Sequence, residues 1–236
     1  MRMGRALFAA AMIACGVLGF VSGDFAPIWQ PVGKDVPARE ALIYLCAIVS
    51  LVMGLGLLWP RTIVPSARVL SGYLILWMLV FNAAHVIRAP VTQDAWSGIG
   101  ETAVYVAAAL VLAGSAKAIR AGTIFYGLAM IPFGIAHFTY ANETASLVPA
   151  WLPGHLGIAY LTGCAYLAAG VSILAGVVAK WAAALSTLQM GLFTLFVWVP
   201  IVTAGAPSAF VWSEFVVSCV LTASAWTVAE SYTWHV

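Results

Sequence analysis

The sequence predicts an all-α membrane protein: eight transmembrane helices, arranged as two parallel four-helix repeats. Three observations carry this. First, 64% of the 236 residues are hydrophobic and only 8% are charged. Soluble domains carry roughly a quarter charged residues. Second, the apolar residues fall into eight spans, roughly 5–23, 40–60, 66–87, 99–115, 121–140, 156–178, 182–203 and 209–229, each near the length that crosses about 30 Å of hydrocarbon. Third, the second half of the chain aligns on the first at a fixed offset.

The first span follows Arg2 and Arg5 and has the outline of a secretion signal. It is read as an uncleaved helix, because the repeat needs it as a structural member. Spans two to four match spans six to eight at a shift of 116 residues, without gaps. Tyr44-Leu45 then falls on Tyr160-Leu161, Gly54 on Gly170, Leu79 on Leu195 and Trp96-Ser97 on Trp212-Ser213. Upstream, Val36-Pro37-Ala38 matches Val148-Pro149-Ala150, and Asp24 matches His137. The repeats run over 1–118 and 119–236. Four spans return the chain to its starting side, so the copies share one orientation and relate by a two-fold axis along the membrane normal. Glycines at 19, 23, 54, 56, 163 and 170 are expected to bring helices close together.

Charge orients the bundle. With the N-terminus cytoplasmic, Arg2, Arg5, Arg61, Arg68, Lys117, Arg120 and Lys180 lie inside, and only Lys34, Arg39 and Arg88 outside. That is the bias expected of a membrane protein with both termini in the cytoplasm. Asp24, Asp35, Glu40, Asp94, Glu101, Glu143 and Glu214 fall outside, with His85, His137 and His155. His235 is at the other end. The net charge of +2 is too small for nucleic-acid binding. Cys15, Cys46, Cys164 and Cys219 form no close pair, so a dithiol relay is not expected; they read as small buried residues.

The run Phe133–Phe138, then Val148-Pro149-Ala150-Trp151-Leu152-Pro153, then Tyr160-Leu161-Thr162-Gly163 and Ala168-Ala169-Gly170, resembles the DoxX-like family of four-helix membrane proteins. The resemblance covers about 121–229 well, and the first half as a diverged copy. It implies a four-helix bundle and, for some members, work beside quinone-linked or thiol-linked redox enzymes. Other members are accessory or assembly proteins.

The candidate ligand-binding residues gather at the outer side. Asp24 and His137, at matched positions, are expected to face each other as an acid–base pair. Asn82, His85 and Arg88 sit three apart and share a helical face. Glu101 and Glu214 stand near the starts of spans four and eight, with Ser97 or Ser213 as the expected N-cap. His155 closes the outer loop, and Trp198 occupies the place of Asn82 in the second copy, beside the helix-breaking Pro200. Trp29, Trp96, Trp151 and Trp212 would form an aromatic outer rim. This composition favours a quinone-like or lipid-like ligand, in or beside a membrane redox complex of a bacterial inner membrane. Two alternatives stay open: a structural or assembly subunit without its own ligand, and an enzyme using histidine and carboxylate acid–base chemistry on a lipid-like substrate. Haem b is disfavoured, and no metal site is expected, since no histidine pair has i, i+4 spacing.

Overall fold

A computed structural model describes residues 2–232; His235 lies outside them. The described chain contains eight helices long and apolar enough to cross a membrane. They are α1 (Met3–Ser22), α2 (Arg39–Leu58), α3 (Ile63–Arg88), α4 (Gln93–Leu112), α5 (Ala116–Thr139), α6 (His155–Ala175), α7 (Ala179–Thr203) and α8 (Ala209–Ser231). The protein is an all-α, multi-pass membrane protein. A further short helix, Ala141–Ser146, lies in the loop between α5 and α6.

Two helices start earlier than the apolar pattern alone indicates. The fourth begins at Gln93 rather than near 99, and the fifth at Ala116 rather than near 121. Their first turns carry Gln93, Asp94, Lys117 and Arg120, polar groups that reach the interface while the backbone is already helical. Ser115 caps α5 by accepting from the Ala118 N–H at 3.2 Å, and Ser208 caps α8 by accepting from Val211 at 3.3 Å. The N-cap of α4 is Thr92, whose hydroxyl donates back to the Ala89 carbonyl oxygen at 2.9 Å rather than capping the helix. The expected caps Ser97 and Ser213 are therefore inside their helices, and Glu101 is the ninth residue of α4.

The helices form a closed ring in chain order, α1 beside α2 and so on to α8 beside α1, and α4 and α8 meet across its middle. A step of four helices carries each of these contacts onto another: α1/α2 onto α5/α6, α3/α4 onto α7/α8, α4/α5 onto α8/α1, and α4/α8 onto itself. The starts of α2, α3 and α4 recur at the same offset in α6, α7 and α8, as Arg39/His155, Ile63/Ala179 and Gln93/Ala209. A wide π turn interrupts α3 at Met78–Asn82 and α7 at Thr194–Trp198, again at that offset. Pro200 stands two residues after the second π turn, but Ala84 holds that place after the first, so proline alone does not account for the widening.

The central pair forms the core. Every residue from Glu101 to Ala109 of α4 is buried. Alanine and valine dominate that run, which lets three neighbouring helices, α3, α5 and α8, close around it. At the α5/α6 contact, a Cβ on Gly163 would stand 3.0 Å from the Gly134 carbonyl oxygen, so both positions need small residues. Gly23 has a different role: it ends α1 in the left-handed conformation at φ 60°.

The α1–α2 loop dips into the bundle. Phe25, Trp29, Gln30 and Val32 are buried there. The Trp29 ring meets Tyr105 edge-on at 5.4 Å and Trp77 at 6.4 Å. Trp29 is thus a core residue, 2% exposed, whereas Trp96, Trp151 and Trp212 are exposed as a rim requires. Of the cysteines, Cys46 is buried but Cys164 is exposed on the outer face of α6, and all four are free.

Candidate functional site

The structure separates the nine candidate residues into distinct environments. Asp24 follows the end of α1 and binds Arg39 at the head of α2, with the Nη2 donor 2.6 Å from Oδ1. The same carboxylate oxygen accepts from the Phe25 N–H at 2.7 Å, and Arg39 stacks over the Phe25 ring at 5.0 Å. Partial burial pushes the Asp24 carboxyl up, but the Arg39 and Phe25 hydrogen bonds and the charges of Arg39 and Lys34 outweigh it, leaving it below the ordinary aspartate value. His137 is engaged elsewhere. Its Nδ1 is 2.7 Å from the Phe133 carbonyl oxygen, one turn back, and its ring packs on Tyr166 at 5.3 Å. No hydrogen bond or ion pair joins Asp24 to His137 among the described residues. The expected acid–base pair is not formed: Asp24 is held by Arg39 at the head of α2, and His137 by its own helix and by Tyr166 of α6.

The polar stripe on α3 also divides. Asn82 is 1% exposed and donates to the Trp29 carbonyl oxygen at 3.1 Å, while its own Oδ1 accepts from Thr102 at 3.3 Å. It is the hydrogen-bonded packing element that joins α3, α4 and the dipping loop. Arg88 is exposed and bonds back to Ala84 of its own helix at 3.1 Å. His85 is half-buried between them. Each three-residue step drifts about 60° around the helix, so the stripe runs from buried Asn82 through half-buried His85 to exposed Arg88 and the three do not form one wall. His155 opens α6, and Trp198 packs against Phe193 at 6.5 Å.

Glu101 and Glu214 differ from the rest. They are 7% and 8% exposed, on the two helices that meet at the centre of the ring. Neither carboxylate has a hydrogen-bond partner among the described residues, and Glu101 Oε2 and Glu214 Oε1 are wholly enclosed. Glu101 stands about 12 Å along α4 from its outer end, close to mid-depth, since each helical residue rises about 1.5 Å. This overturns the reading of these residues as capped helix starts. Tyr105, one turn deeper, is fully buried, and its hydroxyl is also without a partner.

One cavity lies apart from all nine. It is a cleft of about 280 Å³ where the α3–α4 turn and the first turns of α4 face α5. Val91, Trp96, Ile131 and Pro132 give it apolar walls, and Thr92, Gln93, Ser97 and Tyr140 bring polar groups. Trp96 Nε1 is bonded to the Pro90 carbonyl oxygen at 2.8 Å, which fixes the indole at the mouth. Sequence reasoning placed Trp96 in the outer rim but had no signal for Pro132 and Tyr140, which come from the other half of the chain.

Comparison with protein-family models, with curated proteins and with solved structures finds no match for this chain.

Proposed function

We propose that this protein binds a small amphiphilic molecule, quinone-like or lipid-like, in the cleft between α4 and α5, and serves in or beside a membrane redox system. The cleft is the observation that carries this reading. Its volume of about 280 Å³ suits a ring or a small head group, not a whole long-chain lipid. A tail has a route out: Ile135, Leu128 and Ile124 continue from the cleft along the exposed face of α5. Gln93 and Tyr140 supply the few polar contacts such a head group needs.

The wider setting belongs to the same proposal. The chain is a tandem duplication of a DoxX-like unit, 1–118 and 119–236, in a bacterial inner membrane with both termini cytoplasmic. The recurring helix starts and the repeated neighbour relations support the duplication, and the basic residues near the inner ends support the orientation.

Organic extraction of the purified protein, followed by mass spectrometry, tests the binding. A stoichiometric amphiphile is expected, and Ala136→Trp, which fills the cleft, should remove it. An extract without one, or one that Ala136→Trp leaves unchanged, defeats the reading. The internal engagement of Asp24 and His137 favours the second reading, an assembly subunit without a ligand. That reading expects the empty extract together with a co-purifying membrane partner. The acid–base enzyme has less support, because no histidine hydrogen-bonds to Glu101 or Glu214 among the described residues.

A further inference from the structure

The centre of the bundle holds two acids that no cation neutralises. Glu101 on α4 and Glu214 on α8 are each more than nine-tenths buried, and one oxygen of each is enclosed without a partner. No arginine, lysine or histidine pairs with either among the described residues. They stand on the two helices that meet at the centre of the ring. Two further buried donors are unpartnered. Tyr105, fully buried, stands four residues after Glu101 on the same helical face. The Trp29 indole N–H is also enclosed and unbonded, and its ring rests on Tyr105.

Asp94 completes the line. It lies seven residues before Glu101, two turns nearer the outer end of α4, and is exposed. Its charge reaches both Glu101 and Glu214. The other titratable groups that reach this cluster are Cys219 on α8 and Cys15 on α1, both acting on Tyr105. The α3 side presents Asn82, and α5 presents Pro132 and Phe133 to this stretch of α4.

A buried carboxylate without a cationic partner takes up a proton or a metal cation, because leaving it as a lone anion is far costlier. The described residues gather no group of three histidine, cysteine, aspartate or glutamate side chains that could hold a metal ion. The donor set here is two carboxylates and a hydroxyl, which a proton satisfies by forming one O–H bond. We propose that Glu101 and Glu214 form an exchangeable proton site at the junction of α4 and α8, loaded from the outer side past Asp94. The site is separate from the amphiphile cleft and does not depend on it. The reaction is proton uptake alone: a carboxylate oxygen gains a proton from the outer aqueous phase and returns it there.

The full-length protein in lipid nanodiscs, treated with dicyclohexylcarbodiimide, tests this. The reagent is apolar and modifies carboxyl groups that are both protonated and in an apolar setting; peptide mass spectrometry locates the adduct. Glu101 or Glu214 should be labelled, exposed Asp24 and Glu143 should not, and the label should vanish as pH rises. Sodium and potassium chloride should leave it unchanged. In Glu101→Gln, the pH at which Glu214 loses its label should shift by about one unit or more, the mark of coupled acids. Glu101→Asp keeps the acid and serves if the glutamine variant does not fold. Infrared difference spectra of the unmodified protein should show a buried carboxyl band lost on raising pH. Absence of label and band at every pH overturns the proposal, as does a label that ignores pH. Protection by sodium or potassium would assign the site to that cation instead and overturn it equally. None of these outcomes bears on amphiphile extraction, so the two readings fail separately.

Discussion

Asn82 donates its side-chain amide to the Trp29 carbonyl oxygen at 3.1 Å, tying the α1–α2 loop into the bundle. The same carbonyl accepts from the Trp77 indole at 3.3 Å, so the loop is held from two points on α3. Asn82→Ala removes one of these bonds and strips Thr102 of a partner. The expected cost is about 1–3 kcal/mol, the range for a buried hydrogen-bonded group. Arg88→Ala, on the exposed end of the same stripe, should change stability by less than about 0.5 kcal/mol. Thermal unfolding of both variants in one detergent checks the contrast; equal effects would return Arg88 to the wall of a shared site.

Gly98 lies where the loop crosses α4. A Cβ there would stand 2.5 Å from the Ile28 carbonyl oxygen and 3.2 Å from Asn82 Nδ2. Neither can yield cheaply, because one is backbone and the other is already bonded. Gly98→Ala should therefore displace the loop or cost roughly 1–3 kcal/mol as overpacking does. Faster proteolysis within 24–38 and a shift in tryptophan emission are the expected signs. An unaltered cleavage pattern together with unaltered stability would show that the loop does not rest on α4 as described.

Asp24 and His137 should behave as strangers. Each has its own partner, so the effects of Asp24→Asn and His137→Gln on stability should add within about 0.5 kcal/mol. The pH dependence follows from the lowered Asp24 value. A carboxyl held below its unfolded value stabilises the fold above that unfolded value and loses the contribution as pH falls through the depressed one, hence below about pH 4. Asp24 is 61% exposed, so solvent screening limits the effect to about 0.5 kcal/mol or less. Acid titration of stability in the unmodified protein and in Asp24→Asn measures it, and a difference persisting at neutral pH but vanishing below pH 4 is the expected result. Strong non-additivity with His137→Gln would restore the pair.

How far the sequence reached is best seen at Glu101. The apolar pattern found all eight helices, because twenty-residue hydrophobic runs dominate any other signal. It lost the first turn and a half of α4, where Gln93, Asp94 and Ser97 dilute the run. That small error moved Glu101 from mid-helix to helix start and turned an unpaired buried acid into an ordinary cap. Trp29 was misplaced for another reason. A loop tryptophan beside a helix end looks interfacial, and only the glycine at 98 and the asparagine at 82, both distant in sequence, make room for it inside. The matched positions of Asp24 and His137 were legible, but proximity was not. α1 packs on α8 and α5 on α4, so the central pair stands between them and the end of each finds local partners.

The orientation itself makes the last prediction. Eight crossings put the ends of the described chain on one side, with the loops at 24–38 and 140–154 on the other. Lys34 and Glu143 are exposed in those two loops, and Lys117 is exposed at the opposite end, at the start of α5. With the basic-rich side cytoplasmic, Lys34→Cys and Glu143→Cys in intact cells should react with a membrane-impermeant maleimide, and Lys117→Cys should react only after the membrane is opened. Cys164 faces outward from α6, so the experiment starts from Cys164→Ala to remove that background. The three sites must change together, because each crossing reverses the side of the next. Labelling of Lys117→Cys alone in intact cells would invert the protein and place Asp94, with the route toward Glu101, on the cytoplasmic face. Labelling of Lys34→Cys without Glu143→Cys would instead break the eight-crossing count between α2 and α5, and with it the common orientation of the two halves.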